Sequence, residues 1–185
     1  MCDELPPVWF DAEQAKTALP EVAAAISRMQ EPRPPATRVY YGSLAIAAGD
    51  TATADRALNG LAGDNPRLAQ LQLIFKAQQE IAAGTPEKAT QQLAKRSDLD
   101  PSNRPLAQYW LAMAKVGSSK GETRREGVLD LLHLPAVFGE QWPALAAAGL
   151  YQAMQTLEEL GDLRGSIALR SELLGKYGQT YHAGQ

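Results

Sequence analysis

Apolar side chains recur at helical spacing along most of this chain. Ala54, Ala57, Leu58 and Leu61 form one run, Leu68, Leu71, Phe75 and Ala82 a second, and Leu150, Met154, Leu157 and Leu160 a third. Residues three, four or seven apart share one face of an α-helix, so each run predicts a helix with a buried stripe. Val, Ile and Thr seldom alternate with polar residues, whereas Ala, Leu, Gln, Glu and Arg dominate, the residues that lose least entropy in a helix. The pattern predicts an all-α fold.

Four turn signals cut these runs into short pieces: Gly49-Asp50, Gly84-Thr85-Pro86, Gly121-Glu122 and Gly161-Asp162. A glycine can take the left-handed conformation that closes a helix, and the Asp, Thr or Glu after it suits the first turn of the next. The glycines are 35, 37 and 40 residues apart, in the range of helical-pair arrays. Seven residues before them stand Gly42, Ala77, Ala114 and Met154, and five after them Ala54, Ala89, Glu126 and Ser166. Mostly small side chains at these places let two helices cross closely. Seventeen residues after the turn come Pro66, Pro101, Phe138 and Gly178, so the second helix of each pair is expected to stop there, in three cases at a breaker.

This order of small residue, turn glycine, small residue and proline resembles the tetratricopeptide repeat. Residues 38–66 and 73–101 carry it best. The third repeat opens with Trp110, Met113, Ala114 and Gly121, then departs: Glu126 and Asp130 replace a small and a large apolar residue, and Pro135 predicts an early stop followed by a loop with Phe138 and Trp142. The stretch 161–183 is similar to one repeat of bacterial cell-envelope tetratricopeptide proteins, with Tyr177-Gly178 where those carry Tyr-Pro. The resemblance implies a right-handed α-solenoid of about four helix-turn-helix repeats, at 37–68, 69–103, 104–142 and 143–180, within a repeat domain spanning 37–185. Residues 1–36 form an N-terminal helical segment: one or two helices over 11–30, with Pro20 starting the second or kinking the first, then the spacer Glu31-Pro-Arg-Pro-Pro35. The hydrophobic Leu5-Pro-Pro-Val-Trp-Phe10 either packs back on the array or awaits another part of the protein. The expected end of the array just after Gly178, with no polar capping helix, suggests a fragment of a longer protein.

Composition narrows the functional classes. With 45% hydrophobic and 21% charged residues the chain can bury a core. A net charge of −3 provides no positive field for nucleic acid, and the basic pairs Lys95-Arg96 and Arg124-Arg125 read as solvated helix ends. One cysteine, Cys2, excludes an internal disulfide and a thiolate zinc cage. The longest strongly apolar stretch, 144–150, is too short to span a bilayer, and Asp3 and Glu4 stand where a secretory signal would be positive. As given, the chain reads as soluble and cytoplasmic. A trimmed signal or lipid-anchor segment would place it in the periplasm or cell envelope.

No chemistry-bearing constellation emerges. His133, in Leu131-Leu-His-Leu134, reads as a partly buried structural histidine, and neither it nor His182 has a second ligand at helical spacing. Val116-Gly-Ser-Ser-Lys-Gly121 lacks the spacing of a phosphate loop, no nucleophile elbow occurs, and Glu158-Glu159 reads as a solvated helix end. Neither catalysis nor a cofactor nor a metal is expected. Stacked helix pairs present a concave groove lined by the first helix of each pair. Transferring the repeat phase, its lining is expected at Val39, Ser43, Ile46, Ile74, Gln78, Ile81, Leu111, Lys115, Tyr151, Gln155 and Glu158. Such a lining, with one lysine among the Ile, Val, Gln and Tyr, suits an apolar or helical protein or peptide partner, or the chain's own N-terminal helix. A structural spacer, forming homo-oligomers through its exposed repeat ends, is the alternative.

Overall fold

Proline begins many of the helices. Pro35, Pro66, Pro86 and Pro143 each occupy a first helical position, and Pro105 the second position of its helix, where a missing amide hydrogen costs nothing and a φ near −65° is already helical. In the computed structural model, which describes residues 12–61, 63, 65–94 and 98–184, these prolines open α2 (Pro35–Ala47), α4 (Pro66–Ala82), α5 (Pro86–Leu93), α6 (Arg104–Val116) and α8 (Pro143–Glu159). The remaining helices are α1 (Ala12–Ser27), α3 (Thr51–Leu58), α7 (Gly121–Phe138) and α9 (Leu163–Tyr177), followed by a 3-10 turn at Tyr181–Gly184. The described residues are all-α, with nine helices and no strand. None of these helices is long and apolar enough to cross a membrane. Cys2, the segment 5–10 and the pair Lys95-Arg96 lie outside the described residues.

Three of the four expected turns close alike. Gly49, Gly84 and Gly161 have φ of +79°, +75° and +81°. The amide after each donates five residues back: Asp50 to Ala45 O, Thr85 to Glu80 O and Asp162 to Leu157 O, each at 2.9 Å. This is a Schellman closure, which satisfies helix-end carbonyls and needs a left-handed residue. Asp50 and Asp162 then cap the next helix, accepting from the Thr53 and Gly165 amides at 2.9 Å. Thr85 instead donates its hydroxyl to Glu80, to the carbonyl oxygen at 3.0 Å and the carboxylate at 2.6 Å.

The third turn is a correction. α6 ends at Val116 with Gly117 as its C-cap, the bend runs through Ser118 and Ser119, and Gly121 is the first residue of α7, without positive φ. The serines make this possible, Ser118 Oγ accepting the Lys120 amide at 3.2 Å. Gly84→Ala should therefore cost about 1 kcal/mol, because alanine is strained in the left-handed conformation, whereas Gly121→Ala should change stability by less than about 0.5 kcal/mol. Paired urea titrations of the two variants distinguish the positions.

Two more expectations change. Pro66 and Pro101 do not stop the second helices: α3 and α5 end at Leu58 and Leu93, after eight residues each, and Pro66 opens α4 under an Asn65 cap. Pro135 does not stop α7, which runs 18 residues through it. Proline cannot donate to the carbonyl four residues back, that of Leu131. That oxygen faces Gly149 of α8, where a Cβ would stand 2.9 Å away, so the interruption lies in the α7–α8 contact. Pro20 likewise sits inside one continuous α1.

Successive helices pack on one another from α1 to α3 and from α4 to α9, and α2, α4, α6 and α8 also touch one another in sequence. No comparable contact joins α3, α5, α7 and α9 among the described residues. The core runs along these four helices, from Val39 and Ile46 through Ile74, Phe75, Tyr109 and Trp110 to Leu145 and Ala148, and takes in Leu131 of α7. α8 is buried on every side over residues 145–150, as expected of a helix apolar all round. A smaller cluster, Ala147, Leu150 and Leu173, lies beneath Tyr151 and Tyr177.

The small residues expected at the crossings are mostly there. Ala54, Ala77, Ala89 and Ala114 are buried, and a Cβ on Gly42 would meet the Leu58 side chain at 2.6 Å. Glu126 is the exception. It is exposed, and Gly127 makes the approach: a Cβ there would stand 2.8 Å from the Val116 amide nitrogen and 2.9 Å from Lys115 Cβ.

Candidate binding surface

The row of α2, α4, α6 and α8 carries every residue expected to line a groove, and burial sorts them. Val39, Ser43, Ile46, Ile74 and Gln78 are between 0% and 4% exposed, and the three aliphatic ones belong to the common core, so these five present no free surface. The physical reason is close spacing: contacts between α2, α4 and α6 turn these side chains into packing. Ile81, Leu111, Lys115, Tyr151 and Gln155 are half-buried and Glu158 is exposed.

Two of the remaining polar positions point across their own helix pair. Lys115 Nζ lies 2.7 Å from Asp130 Oδ2 and 3.8 Å from Glu126 Oε2, both on α7. This pairing accounts for the charged residues that break the repeat pattern in the third pair. Glu158 Oε1 accepts the Ser166 hydroxyl of α9 at 2.8 Å. Gln155 donates to the Tyr151 hydroxyl at 2.9 Å, and the Tyr151 ring lies 5.5 Å from that of His182 in the terminal turn. Ile81 and Leu111 thus remain as the partly open apolar positions, on α4 and α6 respectively.

The expectation of a partly buried His133 is corrected by the structure. His133 is exposed on α7, edge-on to Phe138 at 6.3 Å. His182 is buried between Tyr151 and Tyr181, and burial pushes its pKa down from 6.5 to about 4. A base whose folded pKa is depressed binds its proton more readily when released. Its contribution to stability is therefore complete above pH 6.5 and declines as pH falls toward about 4. Backbone hydrogen exchange at 181–184 should accelerate between pH 6.5 and 5 beyond the intrinsic trend, and His182→Phe should remove that excess.

Other titration shifts arise from local caps. Hydrogen bonds from Thr53 lower the Asp50 pKa, the Thr85 hydroxyl lowers that of Glu80, and Ser102 lowers that of Asp100. Burial alone raises Tyr109 well above its usual value. The loop before α6 is tied to α4: buried Asn103 donates to Arg67 O at 3.0 Å and to Gln70 Oε1 at 3.2 Å, and Gln70 Oε1 also accepts the Asp100 amide at 2.8 Å.

Two clefts open beside this framework. One, of about 620 Å³, lies where α3 and α4 diverge, between Leu58 and Leu73 and beside the 3.0 Å hydrogen bond from Gln79 Nε2 to Asp55. The other, of about 470 Å³, lies between α1, the 31–33 segment and the α2–α3 pair. Sequence reading missed its three arginines, Arg33, Arg38 and Arg56, because they come from a loop and two helices and form no motif. No known protein family, curated protein or solved structure matches the chain.

Proposed function

We propose that the chain is a non-catalytic scaffold that binds a protein or peptide on the concave face of a tetratricopeptide-like, right-handed solenoid within a larger bacterial protein or complex. The observation that carries this reading is the asymmetry of packing. Helices α2, α4, α6 and α8 touch one another in sequence while no comparable contact joins α3, α5, α7 and α9 among the described residues, as expected of an array curved with its first helices inside. The three matching Schellman turns support a repeated unit. The binding face is the partly open strip of that row, with Ile81 and Leu111 at its centre, and its apolar character suits an amphipathic helix or an extended apolar segment.

Peptides selected from a displayed random library against the whole chain test the reading. Binding should weaken at least about tenfold in Ile81→Glu and Leu111→Glu proteins that keep their helical spectra. Selected peptides that bind both variants unchanged would overturn it.

A second reading, a structural spacer that pairs with another copy, draws on α9. Leu163, Ile167 and Leu174 are 62%, 66% and 54% exposed and share one helical face. Sedimentation equilibrium would show a dimer abolished by Ile167→Lys if that reading holds, and a monomer throughout if the first does.

A further inference from the structure

We infer that the cavity between α1 and the α2–α3 pair is a binding site for an amphiphilic carboxylate, such as the C-terminal end of a peptide or an acylated amino acid. Three guanidiniums, those of Arg33, Arg38 and Arg56, border this cavity in a chain whose net charge is negative. Two are held by hydrogen bonds to α3 and the residue after it. Arg38 donates from Nε to Ala57 O at 3.0 Å and from Nη2 to Asn59 O, closing the end of α3. Arg56 donates from Nε to Ala52 O at 3.3 Å and from Nη2 to Thr53 Oγ1 at 3.0 Å. These acceptors are neutral, so neither positive charge is cancelled by its anchor.

Arg33 carries the strongest sign of a missing acceptor. Its Nη2 lies 3.1 Å from Glu31 Oε1, yet its Nε is buried without a hydrogen-bond partner among the described residues. A buried cationic donor left unmet is costly, and an oxyanion entering the cavity would satisfy it. Glu31 is the single carboxylate in the described lining against three guanidiniums, with Asp50 at the start of α3 also in the field of Arg56, so positive charge predominates at the cavity. Ile26 and the Tyr41 ring furnish an apolar wall, which favours a ligand with a hydrophobic part beside its charge. A planar carboxylate matches the guanidinium fork, and about 470 Å³ accommodates one or two residues. The site is separate from the strip of Ile81 and Leu111, and its assignment does not rest on that reading.

Titration of the full chain with N-acetyl-leucine, with the peptide Gly-Ala-Ala-Leu and with the amidated peptide, followed by the arginine Nε–H nuclear magnetic resonances, tests the site. Both acids should shift the Arg33 signal saturably in the millimolar range or below, and the amide should bind about tenfold more weakly or not at all. Equal affinity for the two acids identifies a small-molecule carboxylate site, and a clear preference for the peptide identifies a chain-end site. Arg33→Gln should weaken binding by about tenfold, while Glu31→Gln, which removes the built-in competitor, should strengthen it by a few-fold. Absence of saturable shifts with either acid, equal binding of the amide, or weaker binding after Glu31→Gln would overturn the proposal.

Discussion

Gly127→Leu is expected to lower stability by roughly 3–4 kcal/mol, a fall in melting temperature of about 6–16 °C for a chain of this size. The side chain would begin 2.8 Å from the backbone nitrogen of Val116, and backbone cannot rotate away as a side-chain tip can. α6 and α7 would have to separate, weakening the Lys115–Asp130 contact as well as the core around Val128 and Leu131. Gly127→Ala should show the same effect at about 2 kcal/mol, because better helix propensity offsets part of the clash. Gly175 of α9 has open space around its Cβ position, and Gly175→Ala should gain about 0.5–1 kcal/mol. Thermal melts of these proteins therefore separate close crossing from propensity.

Phe75→Ala should cost roughly 3–5 kcal/mol, the range of a large aromatic side chain truncated in a packed core. Phe75 is 1% exposed on α4 and belongs to the core that runs along α2, α4, α6 and α8. Removing the ring costs its transfer free energy and leaves a cavity that helices held on several sides cannot collapse. Phe75→Leu should cost only about 1–2 kcal/mol. Urea denaturation followed by circular dichroism gives both values. A loss below about 1 kcal/mol for alanine would mean that α4 is not packed as described.

The parts of this fold that were legible in the sequence are those set by local backbone chemistry. Gly49-Asp50, Gly84-Thr85 and Gly161-Asp162 pair a left-handed closer with a hydrogen-bonding opener, and each makes its turn at its own position. Where the chain had two ways to turn, the reading failed: Gly117 and two serines bend the chain before Gly121 is reached. Pro135 looked like a stop because proline removes a helical hydrogen bond, but tertiary packing against α8 sustains the helix through it. The close approach at Gly127 rather than position 126 follows from the same shifted third pair.

The candidate surface was less legible, since repeat phase specifies which side of a helix faces inward but not how tightly the next helix covers it. Val39, Ile46 and Ile74 are apolar enough for either fate, and the structure buries them. Lys115 and Glu158 find partners on the second helix of their own pairs, which only the positions of Asp130 and Ser166 could have suggested. The arginine-bordered cavity depends on residues 18 positions apart on α2 and α3 and on a proline-rich loop, a juxtaposition that chain order conceals.

Hydrogen–deuterium exchange on the whole chain, with and without a peptide selected to bind it, is the most direct test of a partner-holding inner face. Added protection is expected in α2, α4, α6 and α8, centred on the turns of helix that contain Ile81 and Leu111. Protection confined to α3, α5, α7 and α9 would contradict it.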